Sequence, residues 1–120
     1  MGVGRRGERS PAALLAAVLF SSGARLVVVG GTARFLHGDE HWPYDLDVVL
    51  DGCSRSLGAA ASMLGRLGVA LPSNLLYRQS WSVVTSLGPL DVVAVVSPGS
   101  LPAAVSLDVA GVAVPVEVRA

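Results

Sequence analysis

The sequence predicts an α/β fold, a single domain built on a mixed β-sheet with flanking helices. Three observations lead there. Valine-rich apolar runs ("RLVVVG", "DLDVVL", "LDVVAVV") recur along the chain, with helix-forming stretches between them. Late in the chain, strand pieces follow one another through short turns, so hairpins join the crossovers and the sheet is not purely parallel. At 120 residues there is room for one core, in a domain that buries roughly two thirds of its unfolded surface.

Residues 1–10 read as a disordered, arginine-rich tail. The segment "MGVGRRGERSPAALLAAVLFSSGA" has the charge order of a signal peptide. Its apolar part, Ala12 to Phe20, is too short to span a membrane. Its removal would also strip away the first helix. The stretch therefore reads as an amphipathic helix from Pro11 to about Ser22, capped by Ser10, opened by Pro11 and ended by Gly23. "RLVVVG" is a short strand for the middle of a sheet. "GTARFLHG" is a short helix, entered through Gly30 and Gly31 and left at Gly38. "DEHWPY" is a loop in which Pro43 holds Trp42 extended. "DLDVVL" is a strand. "SRSLGAAASMLGRLG" is a helix with an apolar face and a stop at Gly68. "LLYRQS" and "WSVVTS" are strand pieces, "LGP" is a hairpin turn, and "LDVVAVV" is the next strand. "SPGSLPAAVS" is a loop with one helical turn. "LDVAGVAVPVEVRA" gives one or two strands with Gly111 as a turn or bulge.

Composition narrows the chemistry. Net charge is zero, so long-range attraction to nucleic acid is not indicated. All nine basic residues are arginine, which excludes a lysine nucleophile. Cys53 is the single cysteine, so neither an internal disulfide nor a cysteine zinc site is available; a reducing cytoplasm is the expected location, with no membrane partner. Hydrophobic residues make up 52% and charged residues 15%, a balance that points to an exposed apolar face expecting a partner or a missing segment.

The aspartates are the anomaly. In a strand, residues i and i+2 share a face, about 7 Å apart, so Asp45 and Asp47 lie side by side. Two carboxylates so placed repel one another unless a cation neutralises them. They sit where the strand emerges from the core, which is where α/β sheets put ligand sites. Asp91 opens "LDVVAVV" in the same way, and on a neighbouring strand it would lie about 4.8 Å away. Three carboxylates form a hard oxygen cage suited to magnesium. Two such ions about 4 Å apart can activate a hydroxyl and stabilise leaving pyrophosphate. Gly30, Gly31 and Thr32 add a turn at a helix N-terminus, where free amides favour phosphate and the glycines allow close approach. Thr32 offers a hydroxyl donor, and Arg34 a charge for the same phosphates.

This arrangement resembles the nucleotidyltransferase superfamily that shares its catalytic core with DNA polymerase beta. The family pattern is a helix, a strand, Gly-Gly or Gly-Ser, roughly ten residues, Asp-x-Asp in a strand, and a third Asp in a later strand. Here it reads "VGGT", thirteen residues from Thr32 to Tyr44, "DLDVVLD", and later "GPLDVVAVV". The likeness spans about Pro11 to Val118. The Gly-Gly-Thr form looks closer to abortive-infection-type nucleotidyltransferase toxins and antibiotic adenylyltransferases than to the small Gly-Ser-Arg antitoxin type. The resemblance implies that Asp45 and Asp47 hold metal ions and the triphosphate, that Asp91 is a metal-linked base, and that Gly30, Gly31 and Thr32 hold the donor phosphates. It implies transfer of a nucleoside monophosphate from an NTP such as ATP to a hydroxyl of a tRNA, a protein or a small molecule. Two Mg2+ ions, or Mn2+ in their place, would assist. A second copy of the chain or a cognate toxin–antitoxin partner is also implied. Two departures stand out. "HWPY" replaces the basic residue and Ser or Thr that relatives carry before the first Asp. Toxin-type relatives continue into a Lys- and Arg-bearing helix, whereas this sequence stops at Ala120. The expectation for residues 11–120 is a domain without that helical extension: a minimal domain, a truncated one or half of an assembly. Such a domain is either catalytic or a catalytically weak interaction module.

Other patterns carry less. "GVGRRG" spells a dinucleotide fingerprint but no strand precedes it. "VVVGGTARF" lacks the third glycine of a Rossmann turn and has bulky Arg34. His37, Asp39, Glu40 and His41 lack a helix to align them as ligands and read as a polar loop beside the site. Asp51 ends its strand or caps the next helix, and Cys53 starts that helix. Arg78 faces either nucleotide or solvent. Trp42 either stacks on a base or covers the core.

Overall fold

The computed structural model describes residues 10–118, so the readings of the arginine-rich tail and of "GVGRRG" lie outside the described residues. The first helix, α1 (Pro11–Ser21), begins as its sequence dictates: the Ser10 hydroxyl accepts from the Ala13 amide at 3.2 Å and Pro11 opens the first turn. It is not amphipathic, however. Ala12, Ala13, Leu15, Ala16, Ala17 and Leu19 are buried, and its remaining residues are mostly apolar too. A helix this apolar belongs in an interior, and α1 packs on four strands and on both other helices.

Strand β1 (Leu26–Val29) leads into the short helix α2 (Gly30–Leu36), then β2 (Leu46–Asp51) and helix α3 (Ser54–Arg66). Two hairpins follow, β3 (Trp81–Thr85) with β4 (Gly88–Val95) and β5 (Ala104–Val109) with β6 (Val112–Glu117). The six strands form one mixed sheet in the order β3-β4-β2-β1-β6-β5. The β2–β4 and β1–β6 pairs are parallel and the other three are antiparallel. The expected mixed α/β sheet is present.

Three local expectations change. Leu75–Tyr77 is a turn of 3-10 helix rather than a strand. The Pro72 and Asn74 carbonyls close it by accepting from the Leu75 and Tyr77 amides, and Leu75 alone anchors it in the core. The first hairpin turns at Ser86 and Leu87, and Gly88, at φ +115°, already belongs to β4. Ala104–Ser106, expected in a loop, pair with Pro115–Glu117 as the start of β5. The second hairpin turns on Ala110 and Gly111, both at positive φ, the two-residue geometry that follows the natural twist of paired strands.

The helices cover one side of the sheet. Leu26, Val28, Leu46, Val48, Leu50, Leu90, Val92, Val114 and Val116 point beneath them and are buried. Because side chains alternate along a strand, Asp47, Val49, Asp91 and Val93 emerge on the opposite side, half-buried or exposed. The two-residue period that fills the core therefore also delivers the acids to the open face. Among the described residues, no helix is long and apolar enough to cross a membrane.

Candidate metal centre

Asp47 stands directly opposite Asp91 across the parallel β2–β4 pair, and opposite Val29 across β1–β2. Asp45 lies one residue before β2. Each of the three carboxylates places an oxygen within 4.8 Å of the other two. Asp45 is exposed, while Asp47 and Asp91 are half-buried. The sequence placed all three on one edge, and the structure brings them together there.

Ionising Asp47 in this setting is costly. Asp47 has its pKa raised from the ordinary 3.8 to about 6. Burial is the largest cause, followed by its hydrogen bond with Asp91 and the negative charges of Asp45 and Asp91; Arg34 opposes the rise. Among the described residues, Arg34 is the one group that lowers it, and the pKa stays raised. A divalent cation would lower it further, and three converging carboxylate oxygens are the donor set that hard cations prefer.

Gly30 fits the centre for two reasons. Its φ is +68°, a left-handed conformation that side chains resist. A Cβ there would also lie 2.6 Å from Asp47 Oδ2, so the turn and the carboxylate pack closely because no side chain intervenes. Gly31 differs, since a Cβ there would meet only Arg34 Nη2 at 3.8 Å, an ordinary contact. Arg34 is exposed on α2 and is the cation whose charge Asp47 feels.

Thr32 has a role the sequence did not suggest. Expected to offer its hydroxyl to phosphate, it is fully buried and donates to the Asp45 carbonyl at 2.9 Å. Its side chain thus ties the start of α2 to the residue carrying the first carboxylate. The sequence reading also missed Ser82. It lies opposite Asp91 in β3–β4, is exposed, and donates its hydroxyl to Asp91 Oδ1. A two-residue turn at Ser86 and Leu87 sets this register; counted from the turn expected at "LGP", Asp91 would instead face Thr85, so the sequence did not point to Ser82.

The other candidates lie elsewhere. His37 Nε2 meets the Glu117 carbonyl at 2.8 Å, and the Asp39 carboxylate accepts from the His41 amide at 2.9 Å. Asp51 is fully buried at the far end of β2, where Oδ1 accepts from the Cys53 amide at 3.0 Å and Oδ2 lies 3.9 Å from Arg25. It ends its strand beside Cys53, the residue preceding α3, as expected. Arg78 is exposed. Trp42 packs edge-on against Phe35, with ring centres 5.5 Å apart. Beside it, a cleft of about 390 Å³ opens between the Trp42–Tyr44 loop and the Ser86–Gly88 turn, next to Asp45 in the chain. Comparison with protein-family models, with curated proteins and with solved structures gives no match.

Proposed function

We propose that this chain is a metal-dependent nucleotidyltransferase with a polymerase beta-like core, transferring a nucleoside monophosphate from an NTP to a hydroxyl and releasing pyrophosphate. The observation that carries the reading is the convergence of Asp45, Asp47 and Asp91 against a turn whose Gly30 must lack a side chain. Mg2+, as two ions, fits the three carboxylates, with Mn2+ as a substitute. Bound there, the metal would supply Lewis-acid polarisation of the reacting phosphate and neutralise the leaving pyrophosphate.

The chain's own residues have distinct parts in this reading. Asp45 and Asp47 hold charge-compensating cations, and Thr32 fixes the backbone that carries Asp45. Gly30 and Gly31 let donor phosphates approach the backbone, and Arg34 adds positive charge beside them. Asp91 accepts the proton of the incoming hydroxyl. The cleft beside Trp42 and Tyr44 has the size of a small-molecule pocket and would take the base or part of the acceptor. The acceptor is a tRNA, a protein or a small molecule, and the setting is cytoplasmic.

A second reading rests on the same open face. Val84 and Val93 are exposed there, which suits an interaction module that docks a second copy or a toxin–antitoxin partner. Calorimetric titration of ATP, GTP, CTP and UTP, with and without Mg2+, separates the two. Binding that needs Mg2+ and disappears in the Asp45→Ala/Asp47→Ala double variant supports the enzyme. Absence of NTP binding, together with a dimer in light scattering, supports the module.

A further inference from the structure

We infer that Ser82 is itself an acceptor hydroxyl, so that the chain nucleotidylates itself there when no other acceptor is present. This rests on the nucleotidyltransferase reading and names one substrate of that site. Across the sheet, facing positions run Ser82, Asp91, Asp47, Val29, and Gly30 follows Val29 in the chain. The donor phosphates are assigned to the Gly30 end. An in-line displacement brings the attacking oxygen from the side opposite the leaving group, hence from the Asp91 end. Ser82 already places a hydroxyl there. It is exposed on β3, the edge strand of the sheet among the described residues. Among the described residues it is the one hydroxyl side chain hydrogen-bonded to a carboxylate of the triad.

The step balances without an oxidant or reductant. Ser82 Oγ attacks the α-phosphorus of an NTP, and its proton passes to the Asp91 carboxylate. The Oγ–P bond forms while the bond from the α-phosphorus to the bridging oxygen breaks. Pyrophosphate leaves with that electron pair. The product is a phosphodiester on Ser82 that fills the acceptor position, so each chain turns over once and then stops.

The test is intact-mass and peptide-mapping analysis of the full chain after incubation with Mg2+ and each of ATP, GTP, CTP and UTP, without any added acceptor. Pyrophosphate release and metal-dependent NTP binding are measured on the same sample. The expected result is one nucleotidyl group per chain, on residue 82. The adduct is absent from Ser82→Ala and from Asp47→Asn, and present in Ser82→Thr, which keeps a hydroxyl at an exposed strand position. NTP binding with an unmodified Ser82, or an adduct that persists in Ser82→Ala, overturns this inference and leaves the nucleotidyltransferase reading standing. A folded chain that binds neither metal nor NTP overturns both.

Discussion

Replacing Asp47 by asparagine keeps the shape of the side chain and removes one of the three charges crowded at the centre. In the metal-free protein this substitution is expected to stabilise the fold. Asp47 titrates near 6 when folded against 3.8 ordinarily, so at about 1.36 kcal/mol per pH unit its ionisation costs the fold at most about 3 kcal/mol. The carboxyl is only half-buried, and solvent screening lowers this to about 1–2 kcal/mol. The sign follows from proton uptake. A raised folded pKa means that the folded state holds its proton more tightly, so the associated stability is full below 3.8 and is lost as pH rises through about 6. Asparagine does not titrate, so its advantage grows across that window and levels off above it. For a domain of this size, 1 kcal/mol corresponds to roughly 3–5 °C. Thermal and urea unfolding of both proteins in EDTA, from pH 4.5 to 8, should show Asp47→Asn ahead by roughly 3–10 °C at pH 8, with a smaller gap at pH 4.5. Saturating Mg2+ should reverse the order, because a ligand at a hundred times its Kd adds about 2.7 kcal/mol to the protein that binds it. A variant that melts below wild type in EDTA at pH 8, or a gap indifferent to pH, would refute the reasoning that burial and neighbouring carboxylates penalise ionised Asp47 in the metal-free fold.

Other substitutions separate the parts of the site. Gly30→Ala puts a side chain on the left-handed turn and against Asp47, so it should cost roughly 1–2 kcal/mol in denaturant melts and weaken metal-dependent NTP binding at least tenfold in calorimetry. Gly31→Ala meets only ordinary contact, so it should leave stability within about 0.5 kcal/mol while lowering NTP affinity, which would show that its role is phosphate approach. Thr32→Val strands the Asp45 carbonyl and should cost about 1–3 kcal/mol in urea melts, with weaker metal binding; Thr32→Ser should restore both. Asp51→Ala empties a buried position at the far end of β2 and should cost about 1–3 kcal/mol by the same assay, yet leave metal binding unchanged in folded protein.

What the sequence made legible was what strand periodicity controls. Asp45 and Asp47 share a face because side chains alternate, and Asp91 joins them because β2 and β4 are neighbours in register. The same alternation marked the valines and leucines that pack beneath the helices. Tertiary contacts were less visible. Nothing in "GGT" separates a threonine that offers its hydroxyl to a ligand from one that spends it on the Asp45 carbonyl. The burial of α1 was hidden because an apolar helix without a polar stripe does not say which of its sides meet neighbours. Leu75–Tyr77 is too short for periodicity to tell strand from helical turn, and local carbonyl acceptors decided it. The separate roles of Gly30 and Gly31 needed the position of Asp47 Oδ2, which adjacent identical letters cannot encode.

Asp45, Asp47 and Asp91 are proposed together to hold a divalent cation for an NTP. Manganese binding followed by electron paramagnetic resonance, with wild type and Asp47→Asn compared with and without ATP, GTP, CTP or UTP, tests this proposal most directly. Saturable binding by wild type is expected, tightened by the preferred NTP and lost in the variant. Free Mn2+ throughout, or equal binding by both proteins, would contradict it.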